Sequence, residues 1–145
     1  MDEFFARMYE WFGLIPIYSK DLGEFLRGYD YACTGYFALH WYLYIGLFMI
    51  VSTLLLFALQ FDLVSGIRFK KIEHWELAGL IVAIVNFAIA FGVPFIAIQN
   101  GRYCMRLKLA TMDCLTFGFS NALWALVFFS LLSLLRYFIT RRNTQ

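Results

Sequence analysis

Three stretches of this chain contain no Asp, Glu, Lys or Arg: Tyr31 to Phe61, Leu77 to Gly101, and Cys114 to Leu135. Each reaches the roughly 20 residues a helix needs to cross about 30 Å of hydrocarbon. Composition points the same way. Hydrophobic residues make up 62% of the chain and charged residues 15%. An ordinary soluble domain has roughly 45–50% and about 25%. The expected fold is an all-α integral membrane protein. Three transmembrane helices follow an amphipathic interfacial N-terminal helical segment.

The expected division is an interfacial segment over 1–34, a first span over 35–62 and a basic-aromatic loop over 63–76. A second span over 77–99, kinked near Pro94, leads into a second loop over 100–114. The third span covers 115–138 and a basic tail covers 139–145. The first gap is longer than one crossing. Tyr36, His40, Trp41, Tyr42 and Tyr44 account for the excess, because Tyr and Trp favour the headgroup level.

Residues 2–12 read as an amphipathic helix with Phe4, Phe5, Met8, Trp11 and Phe12 on one face. Gly13 to Pro16 breaks it. A second short helix is capped by Ser19 and turns Leu22, Phe25, Leu26 and Tyr29 to one side. It is too charged to span, so it is expected to lie in the interface plane. The alternative is a lid packed on the spans. The acidic start, Met1-Asp2-Glu3, does not read as a cleavable signal. No lipidation box and no extramembrane domain are expected.

Orientation is weakly encoded. Arg7, Lys20, Arg27, Arg102, Arg106 and Lys108 lie on one side, and Arg68, Lys70, Lys71, Arg136, Arg141 and Arg142 on the other. Arg7 is remote from the first span and counts least, which leaves a small bias for a cytosolic C-terminus. The near tie leaves dual insertion open. Arg68, Lys70 and Lys71, interleaved with Ile67, Phe69 and Ile72, suit lipid headgroups. Cys33, Cys104 and Cys114 share the N-terminal side and read first as separate interfacial thiols. If that side faces an oxidising compartment, two of them can pair.

Polar residues inside the spans mark packing faces. At about 100° per residue, Gly79, Ala83, Asn86, Ala90, Val93 and Ala97 share a stripe, with Ile81, Ile84, Phe91 and Phe95 opposite. Small residues let helices approach in lipid, and an amide can bond across. On the third span Gly118, Ala122 and Ala125 form a similar face beside Ser120, Asn121, Trp124 and Phe128. Gly46, Thr53 and Gln60 align on the first. Asn86 and Asn121 come out at a similar depth at about 1.5 Å of rise per residue. Gly92 and Pro94 would bend the second span.

No enzyme activity, metal site or cofactor is expected. His40 and His74 lie on opposite sides, and no intramembrane charge, nucleophile motif or phosphate loop occurs. The expected partners are the lipid bilayer, further copies of the chain and a membrane-protein partner, with no nucleic acid. The leading functional expectation is a symmetric oligomer that forms or regulates an ion-conducting pore in a bacterial inner membrane. Asn86, Asn121, Trp124, Phe128 and Thr53 would line it or bond between helices. By analogy of architecture, a membrane-disrupting effector of defence or toxicity would fit. The alternatives are a non-conducting accessory or assembly subunit and a small dual-topology transporter.

Overall fold

The computed structural model describes residues 2–11, 17–36, 38–66 and 73–142. The basic loop residues Arg68, Lys70 and Lys71, together with the expected break at Gly13 to Pro16, lie outside them. Five helices follow in order: α1 (Asp2–Tyr9), α2 (Lys20–Leu26), α3 (Trp41–Gly66), α4 (Glu73–Gln99) and α5 (Thr111–Arg142). Three segments are long and apolar enough to cross a membrane: Trp41–Leu59, Glu76–Gln99 and Thr111–Arg136. All the described secondary structure is helical.

The long helices are apolar all round, so small and polar residues decide which faces meet. α4 and α5 pack most extensively, and α3 leans on both. The α4 stripe expected from the sequence is the buried one. Gly79, Val82, Asn86 and Ala90 are buried, while Ala83, Val93 and Ala97 are half-buried. Ile81 and Ile84 turn outward. On α5, Ala125 is fully buried and Ala122 half-buried. A Cβ on Gly118 would come within 3.0 Å of the Phe87 ring and 3.1 Å of Phe91 Cβ, so α4 and α5 approach closely there. α4 continues as helix from Glu73 through a buried Pro94 to Gln99. A Cβ on Gly92 would meet nothing within 4 Å, so no close approach requires a glycine there.

The N-terminal region departs from the sequence reading. Both short helices turn most of their apolar side chains onto protein, although Phe4 of α1 is exposed. α1 packs on α3 and α5, and α2 on α3. Phe5, Ala6, Met8 and Tyr9 of α1 are buried, as are Leu22, Phe25 and Leu26 of α2. These side chains are therefore covered by the chain itself, and for α2 this packing is the lid alternative. The physical reason is a fitted surface. Gly46 of α3 leaves a notch filled by the Phe5 ring, and any Cβ there would collide with it. α1 also stops earlier than expected. Trp11 adopts a left-handed backbone with φ 50° and leaves the helix. Ser19 caps α2, its hydroxyl accepting from Leu22 N at 3.3 Å.

The notch makes a reciprocal prediction. Gly46→Leu should destabilise the protein by roughly 1–3 kcal/mol, the usual penalty of overpacking. Adding Phe5→Ala should recover part of that loss, because the two residues compete for one space. Thermal melts of the two single variants and the double variant in detergent measure it. Strictly additive losses would mean that Phe5 does not sit on Gly46.

Cys33 and Cys104 form a disulfide, and Cys114 is a buried free thiol. This corrects the expectation of three separate thiols. The bond ties the segment after α2 to the α4–α5 loop. A second tie joins α2 itself to the same loop, where Asp21 Oδ2 accepts from Lys108 N at 3.0 Å. Residues 17–36, 38–40 and 100–110 thus fold together at one end of the bundle, where the sequence suggested an interfacial segment and a separate loop.

Candidate functional site

Asn121 lies at the centre of a buried polar network that joins four helices. The Tyr9 hydroxyl of α1 donates to Asn121 Oδ1 at 2.6 Å. Asn121 Nδ2 donates to the backbone carbonyl of Asn86 on α4 at 2.8 Å. Asn86 Nδ2 donates to Val82 O at 2.9 Å and to Ser52 Oγ on α3 at 3.1 Å. The Ser52 hydroxyl can return its proton to Met49 O, 3.2 Å away. Just beyond Tyr9, Trp11 Nε1 donates to Ser120 Oγ at 3.1 Å. Tyr9, Asn86 and Asn121 are all 0% exposed. A buried amide without partners is costly. Here each amide is held by groups of the same chain.

Tyr9 suits this position because its ring is apolar and its tip polar. The ring stacks on Tyr42 at 5.8 Å and meets Phe117 edge-on at 5.2 Å. Burial drives the Tyr9 hydroxyl well above the ordinary phenol range, and nearby Tyr18 adds to this. It therefore stays protonated and donates. Tyr18 and Tyr42 share a hydrogen bond at 2.7 Å, and Tyr18 also meets Phe117 edge-on. Tyr42 is thus a core residue whose ring faces the chain's own interior.

Charged groups hold the outer end. Ser19 donates through Oγ and its backbone N–H to the two Asp113 carboxylate oxygens, at 2.7 and 3.3 Å. Asp113 stands in the first turn of α5, where the helix dipole also favours a carboxylate. Arg27 pairs with Glu10 at 2.7 Å, which ties α2 to the residue after α1. Tyr36 bonds to Glu24. These exposed pairs orient the cap more than they stabilise it.

The residues singled out from the sequence separate into distinct roles. Asn86 and Asn121 meet at one depth. Thr53 is fully buried, but its hydroxyl returns to Met49 O on its own helix at 2.7 Å. Trp124 stacks at a tilt on Trp11, 5.0 Å between centroids, and its indole N–H has no acceptor among the described residues. Phe128 is half-buried one turn further along α5. Sequence reasoning placed Ser120 on the right face of α5 without a role, and it missed Tyr9, Trp11 as a donor and Ser52. Tyr9 had one available signal: it lies four residues after Phe5 and beside Met8, so it shares their apolar side. Among the described residues no three His, Cys, Asp or Glu side chains converge as a metal site would require.

Fold and site together define an all-helical chain with three membrane-length apolar helices and an N-terminal helix seated against them. No family model, curated protein or solved structure matches it.

Proposed function

We propose that this chain is a membrane-embedded interaction protein whose N-terminal helix keeps the three spans in a closed, non-conducting bundle. The observation that carries this reading is the fate of the two amides. Asn86 and Asn121 are fully buried and bonded within a single copy. An axial pore would need them to face an axis between copies. In the closed form the bundle instead offers lipid or a partner an apolar flank, with Val51, Leu55, Leu80, Ile84, Leu131 and Leu135 exposed. An accessory or assembly subunit fits this arrangement better than a constitutive pore does.

One observation favours a second reading, a gated pore. Tyr9 and Trp11 occupy the polar groups of Asn121 and Ser120. Withdrawing them would uncover a polar strip on α5, available for lining or for self-association. Ion flux from liposomes, with full-length protein and a chain lacking residues 2–11, separates the readings. Both silent, with the truncated chain still inserted, supports the interaction protein. A silent full chain and a leaking, oligomeric truncated chain support the gated pore. Flux from the full-length chain would contradict a closed bundle.

We also propose a single orientation. The Cys33–Cys104 bond requires an oxidising compartment. The N-terminal side therefore faces the periplasm of a bacterial inner membrane, or its equivalent, and the C-terminus faces the cytosol. This agrees with the small excess of effective positive charge on the C-terminal side and disfavours a dual-topology transporter.

A further inference from the structure

A cavity of about 430 Å³ opens between α2, the start of α3 and the end of α4. That volume lies within the roughly 300–1,000 Å³ of ligand sites. Its floor is apolar, formed by Val93, Ile96 and Ala97 of α4 against Leu39 and Trp41. Phe25 and Tyr29 close one side. The mouth carries Tyr31, Asn100 and Arg102, and Arg102 is the one charged residue in the lining among the described residues.

We propose that this groove binds one anionic glycerophospholipid drawn from the surrounding leaflet, with its phosphate at Arg102 and an acyl chain along α4. Three observations point to that occupant. The first is charge: Arg102 is exposed and forms no ion pair among the described residues. Among the described residues no carboxylate lines the groove. A lone cation above an apolar trough is complementary to an amphiphile with an anionic head. The second is depth. The groove lies at the end of the Glu76–Gln99 span, and Trp41, Tyr29 and Tyr31 mark the headgroup level. A chain running from Arg102 past Ile96 and Val93 therefore enters hydrocarbon.

The third observation is construction. Arg102 N donates to Ala97 O at 3.0 Å and Gly101 N to Ile98 O at 3.2 Å, with Gly101 at φ +62°. This is the capping turn that favours glycine. It consumes two carbonyls that would otherwise repel a phosphate, and it places Arg102 at the rim. The disulfide then clamps the two walls. Cys33 follows Tyr31 by two residues and Cys104 follows Arg102 by two.

The test reconstitutes the full chain in nanodiscs of equal phosphatidylglycerol and phosphatidylcholine. Native mass spectrometry then counts the lipids retained. The wild type should retain phosphatidylglycerol over phosphatidylcholine by about fivefold, the selectivity expected of one basic side chain near anionic lipid. Arg102→Gln should bring the ratio near parity while a lipid is still retained. Ala97→Phe should fill the trough and abolish retention of both. If that variant does not fold, Ile96→Trp, at an exposed lining position, gives the same readout. Arg106→Gln, an exposed arginine outside the lining, should leave the ratio unchanged. No preference in the wild type overturns the proposal. So does an equal loss with Arg106→Gln, which would indicate diffuse surface attraction, or undiminished retention in both trough-filling variants.

Discussion

Tyr9→Ala is expected to release the N-terminal helix from the bundle. The substitution removes a ring packed between Tyr42 and Phe117. Truncating a buried aromatic to alanine costs roughly 3–5 kcal/mol. It also strands Asn121 Oδ1, which accepts the Tyr9 proton at 2.6 Å. An unsatisfied buried acceptor adds about 1–3 kcal/mol unless the site relaxes. Tyr9→Phe separates the two contributions, because it keeps the ring and deletes only the hydroxyl. Hydrogen bonds between membrane helices average about 0.6 kcal/mol, so this variant should melt only slightly below wild type. Denaturation in detergent, combined with limited proteolysis of the N-terminal region, reads both effects. A Tyr9→Ala protein as stable and as protease-resistant as wild type would remove Tyr9 from the core.

Loss of the Cys33–Cys104 bond should have the second-largest effect. The cysteines lie 71 residues apart, for which the chain-entropy relation gives about 4 kcal/mol. The spans already restrict the unfolded chain, so we expect Cys104→Ser to cost about 2–3 kcal/mol. Thiol counting by mass gives an independent check. Without reductant, the folded protein should take up no maleimide, since Cys114 is buried. After mild reduction it should take up two, and a third only on denaturation. A membrane-impermeant reductant added to spheroplasts should open the bond if the N-terminal side faces outward. If only a permeant reductant opens it, the proposed orientation is wrong.

How far the sequence reveals the architecture depends on what each residue must satisfy. The three long helices were legible because a soluble domain rarely goes a membrane's width without a charge. The α4 stripe of Gly79, Ala83, Asn86 and Ala90 was legible because small residues and an amide mean the same thing wherever helices meet in lipid. Asn86 and Asn121 could be placed at one level from helical rise alone. The seat of α1 was not legible. An amphipathic helix looks the same whether its apolar side meets acyl chains or apolar helices, and only the Gly46 notch against Phe5 decides between them. Tyr42 is harder to place for a related reason. A tyrosine near a span end suits the headgroup level, yet Tyr18 and Tyr9 supply a drier alternative. The cysteine pairing depends on the α2 region meeting the α4–α5 loop, as it also does between Asp21 and Lys108, which no local pattern encodes. The polar network follows from the same fact. Its spanning half could be anticipated, whereas Tyr9, the member that closes it, lies on a helix whose seat no local pattern fixes.

The closed bundle depends on Tyr9 sitting inside it against Asn121 of the same chain. A photo-crosslinking phenylalanine analogue of similar size, incorporated at position 9 and activated in native membranes, tests this most directly. The expected result is an intramolecular product joining α1 to α5 peptides around Phe117 to Asn121, on a monomeric band. Crosslinks to lipid, or to α5 of a second copy, would contradict it.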